Sequence, residues 1–83
     1  MMNKRTTDER YVMALYETAL ATGDVSTPFN RHEIGKMIHL QERGVNATCK
    51  LLVQANFVKK SDEFGIYLTK NGEALALRLL AEG

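Results

Sequence analysis

The spacing of apolar residues between positions 30 and 58 most constrains what this chain can fold into. Ile34 and Ile38 share one helical face and point inward with Leu40, while Val45, Cys49 and Leu52 share a second at i, i+4 and i+7. A tight turn at His39, Leu40 and Gln41 separates the two stretches. Two short helices folded across that turn satisfy both patterns, which is the layout of a helix-turn-helix over about residues 30–56.

Local signals support each boundary. Asn30 is a good N-cap, Glu33 stands where a capping box needs it, and Phe29 is placed to staple against Ile34. Gly35 lowers helix stability, so close packing against the next helix is its expected reason. His39 replaces the glycine often found in such a turn and belongs to the residue types enriched at positive φ. The next helix is expected over about Glu42 to Ala55, with Asn56 taking the left-handed position that ends it. Gly44, near its start, loosens that segment. Its outward face carries Arg43, Asn46, Ala47 and Lys50.

The flanks are simpler. A first helix is expected from Thr7 to Thr22, opened by a Thr6 and Glu9 capping box and closed by Gly23. Its apolar stripe is Tyr11, Val12, Leu15, Tyr16, Ala19 and Leu20. Asp24 to Pro28 reads as a loop with a short extended piece at Val25 to Thr27, since the residue before proline avoids helical angles. Phe57 to Lys60 and Ile66 to Thr69 read as two strands of a hairpin joined through Ser61 to Gly65. Thr69 then caps a closing helix over about 70–82. The expected fold class is mainly α with a small β-hairpin, in one domain over 1–83.

Composition narrows the function. A hydrophobic content of 45% suffices for one small core, and the single cysteine excludes an internal disulfide framework. A lone thiol suits a reducing cytoplasm, and the polar start at Met1 to Arg5 has no apolar leader stretch or membrane-spanning run. Net charge is +1, but it is unevenly spread: residues 1–30 carry −1, residues 31–60 carry +4 and residues 61–83 carry −2. The basic excess coincides with the two-helix segment, which favours a polyanionic partner there.

Val45, Cys49, Leu52, Asn56, Phe57 and Val58, followed by Tyr67-Leu68-Thr69-Lys70-Asn71-Gly72, resemble bacterial and archaeal winged-helix regulators of the MarR and ArsR type. In those families a valine starts the recognition helix, leucines hold its core positions, a glycine marks its exit, and a Leu-Thr-x-x-Gly segment leads into the closing helix. Here Leu68-Thr69-Lys70-Asn71-Gly72 matches that lead-in, Cys49 stands for a leucine and Asn56 for the exit glycine. The chain departs from the pattern in His39, in Gly44 and in a short wing with Asp62 and Glu63 near its tip. The long flanking dimerisation helices of full MarR-type proteins are not expected within these 83 residues. The resemblance implies a winged helix-turn-helix, with a wing over about 57–69.

The expected function is sequence-specific binding of double-stranded DNA, as a transcriptional regulator, with the third helix in the major groove. Arg43 and Asn46 suit base edges, and Lys50, Lys59 and Lys60 suit phosphates, with Ala47 on the same face. The acidic tip opposes phosphate, so wing insertion into a groove is not expected. The alternative is a winged helix used for contact with a protein partner. His32 and His39 lack a third metal ligand at recognisable spacing, and Cys49 falls on a core position where thiols are inert. Tyr11, Tyr16 and Tyr67 read as core or half-buried aromatics. No nucleophile with a neighbouring base and no phosphate-binding loop appears, so neither enzyme activity nor a cofactor is expected. Between Ala74 and Ala81 only Arg78 is polar, which predicts a homodimer through the closing helix at Leu75, Leu79 and Leu80.

Overall fold

In a computed structural model describing residues 5–82, the first helix, α1 (Thr7–Ala21), begins on its capping box. The Glu9 N–H donates to the Thr6 hydroxyl at 3.2 Å, and the Thr6 N–H donates to the Glu9 carboxylate at 2.9 Å. The polar start at Met1 to Lys4, read above as carrying no leader, lies outside the described residues, as does Gly83. The helix ends one residue early, at a Thr22 C-cap whose hydroxyl donates to the Ala19 carbonyl at 2.7 Å, and Gly23 follows at φ +95°. Five of the six residues expected in the stripe are buried, and Met13 joins them. Leu20 does not: it lies on the flank of the stripe in the last turn and is 52% exposed.

The following segment is a turn rather than an extended piece at Val25 to Thr27. The Asp24 carbonyl accepts from the Thr27 N–H at 3.1 Å, and the Asp24 carboxylate accepts from the N–H and hydroxyl of Ser26. That pairing holds the carboxyl of Asp24 below its usual range. The extended backbone comes later, as a two-residue strand β1 (Phe29–Asn30) that the sequence reading missed.

Helix α2 (Arg31–Met37) starts on Asn30, whose side-chain oxygen accepts from the His32 N–H at 2.8 Å. Glu33 does not complete a capping box; Asn30 also ends β1, and the Glu33 carboxylate pairs with Lys36 at 3.4 Å instead. The end of α2 is a Schellman closure, with the His39 N–H donating to the Lys36 carbonyl and the Leu40 N–H to the Gly35 carbonyl. His39 takes the left-handed position at φ +59°.

Helix α3 (Glu42–Gln54) then crosses α2 at Gly35, where a Cβ would collide with Cγ2 of Val45. Gly44 has a comparable reason, since a Cβ there would stand 2.7 Å from Cδ1 of Leu40, which lies over it. Val45, Cys49 and Leu52 are buried as their spacing predicts, together with Thr48. A second Schellman closure ends α3, with Asn56 at φ +65° and the Phe57 N–H donating to the Leu52 carbonyl at 2.9 Å.

Strands β2 (Val58–Lys60) and β3 (Gly65–Leu68) form the expected hairpin, and β1 pairs antiparallel on the other side of β3, giving the order β1-β3-β2. Thr69 then starts α4 (Lys70–Glu82): its hydroxyl accepts from the Gly72 N–H at 3.1 Å and donates to the Asn56 carbonyl at 2.6 Å. Gly72 lies against the Phe57 carbonyl, which a Cβ would strike. Helix α4 packs on α1, where the Arg5 guanidinium donates to the Leu79 carbonyl at 3.3 Å. The core under these elements includes Tyr11, Leu15, Ile34, Val45, Val58, Ile66 and Leu79.

Two outcomes test this account. Gly35→Ala should destabilise the domain by about 1–3 kcal/mol through overpacking, and Val45→Ala in the same chain should recover part of that loss, measured as a double-mutant cycle in urea. His39→Gly should raise stability by up to about 1 kcal/mol, because relief of a left-handed cost of about 1–2 kcal/mol outweighs the added chain entropy of about 0.5–1 kcal/mol. Thermal unfolding would read it as an increase of about 4–8 °C per kcal/mol for a domain of this size.

Candidate functional site

Burial of Val45, Cys49 and Leu52 turns the other side of α3 outward, and Arg43, Asn46, Ala47 and Lys50 all lie exposed in one stripe at i, i+3, i+4 and i+7. None of these cations is neutralised nearby. Among the described residues the ion pairs are Lys36 with Glu33 and Arg78 with Glu82, both away from α3.

The two lysines of β2 face opposite ways. Successive strand side chains alternate faces, and Lys60 shares the face of buried Val58 whereas Lys59 takes the other. Lys60 therefore lines a cleft of about 370 Å³ between α3 and the sheet, with Arg31, Asn46, Cys49, Lys50, Val53, Gln54 and Ile66. Lys59 lies in a separate shallow depression with Asn56, Tyr67, Thr69, Lys70 and Asn71. The pleat of the strand thus places on opposite faces two lysines read together in the sequence as suited to phosphates.

Arg31 is the residue that sequence reasoning missed. It was counted in the basic middle segment, but nothing local connects the first turn of α2 with the cleft. The connection is made by the sheet: the Arg31 N–H donates to the Phe64 carbonyl at 2.9 Å, and its guanidinium carbon lies 5.4 Å from the centroid of the Phe64 ring. The hairpin tip is thus folded back on α2. Asp62, read as a repulsive tip charge, builds this bend by accepting from the N–H groups of Phe64 at 3.1 Å and Gly65 at 2.5 Å.

Beneath the cleft, the Tyr11 hydroxyl donates to the Arg31 carbonyl at 2.7 Å and lies beside the Cys49 thiol. Burial pushes the thiol above its ordinary range, and burial chiefly, with Cys49 adding to it, pushes the Tyr11 phenol up as well. Both groups stay protonated at neutral pH. Among the described residues no three His, Cys, Asp or Glu side chains gather as a metal site, and no helix is long and apolar enough to cross a membrane.

The leucines expected at a dimer surface divide. Leu75 and Leu79 are buried inside the chain because α1 lies along that face of α4, which corrects their assignment to an accessible surface. Leu80 remains 46% exposed, with Leu77 beside it on the outer side of the helix.

Neither protein-family models nor curated protein sequences give a match to this chain.

The buried thiol carries a pH consequence. Its pKa is raised in the folded state, so the stability linked to it is complete below the ordinary thiol pKa of about 8.5 and is lost as pH rises above that value. Urea unfolding followed upward from neutral pH should show this decline, and Cys49→Ala should flatten it between about pH 8 and 10. Rapid alkylation of Cys49 in the folded chain at neutral pH would contradict the burial.

Proposed function

We propose that the chain is a winged helix-turn-helix of the MarR and ArsR kind that binds double-stranded DNA with α3 in the major groove, as a transcriptional regulator. The β2–β3 hairpin is its wing. One observation carries the reading: the stripe of Arg43, Asn46, Ala47 and Lys50 is exposed, unneutralised and continuous with the cationic cleft through Asn46 and Lys50. In this reading Arg43 and Asn46 read base edges by bidentate hydrogen bonds, Ala47 permits close approach, and Lys50 meets the phosphate backbone. Lys60 contributes from the cleft side, and Lys59, on the opposite face of β2, contributes less.

A second reading, contact with a protein partner, is favoured by Leu77 and Leu80, which are 50% and 46% exposed on α4. Pairing of two copies through α4 would use these two side chains rather than Leu75 and Leu79. Neither use competes with DNA for α3.

Fluorescence anisotropy with a labelled duplex tests the first reading. Binding at about 50 mM salt should weaken steeply as salt rises. Lys50→Ala should weaken binding to every sequence and flatten the salt dependence, while Arg43→Ala and Asn46→Ala should relax sequence preference. Absence of binding at about 50 mM salt refutes the DNA reading, because counterion release is strongest there.

A further inference from the structure

We propose that the cleft between α3 and the sheet is a seat for one phosphate oxyanion, held by Arg31, Lys50 and Lys60. The site goes beyond the recognition stripe, and its expected occupant, a backbone phosphodiester of the bound duplex, rests on the DNA reading.

Charge is the first argument. Three cations from three separate elements, α2, α3 and β2, line one cleft, and no carboxylate is among its lining residues. None of the three forms an ion pair among the described residues. A protein seldom gathers like charges around a concave surface without an anion to relieve their repulsion.

The state of Arg31 is the second argument. Its Nε is buried and has no hydrogen-bond partner, although such groups are nearly always satisfied in folded proteins. The Phe64 ring holds the guanidinium while the backbone of the same residue is tied to Phe64 and Tyr11. A planar guanidinium fixed in this way offers a donor fork matched to two oxygens of a phosphate. The two lysines supply point charges to the remaining oxygens. A tetrahedral oxyanion, with oxygens directed to several sides, fits three donors from three elements better than a planar carboxylate does.

The floor is the third argument. Cys49, Val53 and Ile66 give it apolar surface, which lowers the local dielectric and strengthens each charge contact. Because the thiol stays protonated, it places no negative charge against an anion.

Anisotropy with a random-sequence duplex over a range of salt, on the wild type and on Arg31→Gln, Arg31→Lys and Lys60→Gln, tests the seat. Arg31→Gln and Lys60→Gln should each weaken binding, and the two together should reduce the slope of log K against log salt by up to about 0.9, the loss of one phosphate contact. Arg31→Lys should keep the slope and still lose affinity, because charge is retained and the fork is not. A second measurement titrates the wild type and Arg31→Gln with inorganic pyrophosphate, reading the Arg31 Nε–H and the amides of Lys50 and Lys60 by NMR. Saturable shifts in the wild type that vanish at Lys50 and Lys60 in the variant are expected.

If the wild type binds duplex, and Arg31→Gln and Lys60→Gln match it in affinity and slope, the seat is overturned while the DNA reading stands. If duplex binding is absent but pyrophosphate shifts appear and depend on Arg31, the seat stands as a site for free phosphate and the DNA reading fails. Absence of both overturns both.

Discussion

The contact of Gly35 with Val45 governs the rest of this structure. Helices α2 and α3 can approach closely only because position 35 has no side chain, and the methyl of Val45 occupies the space a Cβ would take. With Val45 anchored there, helical periodicity commits Cys49 and Leu52 to the interior, and by the same geometry turns Arg43, Asn46, Ala47 and Lys50 outward. The orientation of this exposed stripe is thus a consequence of packing on its far side. The left-handed His39 belongs to the same constraint, since it closes α2 within the few residues available before α3 must begin.

A second joint works similarly at the other end of α3. Asn56 reverses the chain, and the Thr69 hydroxyl serves two helices at once by donating to the Asn56 carbonyl and accepting from the Gly72 N–H. The intervening hairpin starts and finishes at nearly one point. Gly72 must then pass the Phe57 carbonyl, which accounts physically for a threonine and a glycine three residues apart at the head of α4.

What was legible in the sequence follows the range of the forces involved. Thr6, Asn30, His39, Asn56 and Thr69 act on backbone groups a few residues away, and each does what its residue type and position predict. The buried face of α3 was legible because one period governs it. Strand β1 was not: two residues at Phe29 and Asn30 carry no periodicity, and their extended form comes from pairing with β3 more than 30 positions along the chain. Arg31 was missed for the same reason, since its place in the cleft depends on that pairing. The separation of Lys59 from Lys60 was available in principle from the two-residue period of a strand. The burial of Leu75 and Leu79 was not, because a helix rich in leucine does not say which leucines its neighbour will cover.

Arg31 is held from three directions: its N–H by the Phe64 carbonyl, its own carbonyl by Tyr11, and its side chain by the Phe64 ring. The hairpin side of the cleft is therefore joined to α2, and α2 to α1, by contacts made when the chain folds. A hairpin free to swing would have to be ordered by whatever it meets, at a cost in entropy on each encounter. Here part of that ordering is made within the chain, by contacts that tie the hairpin to α2 and α2 to α1.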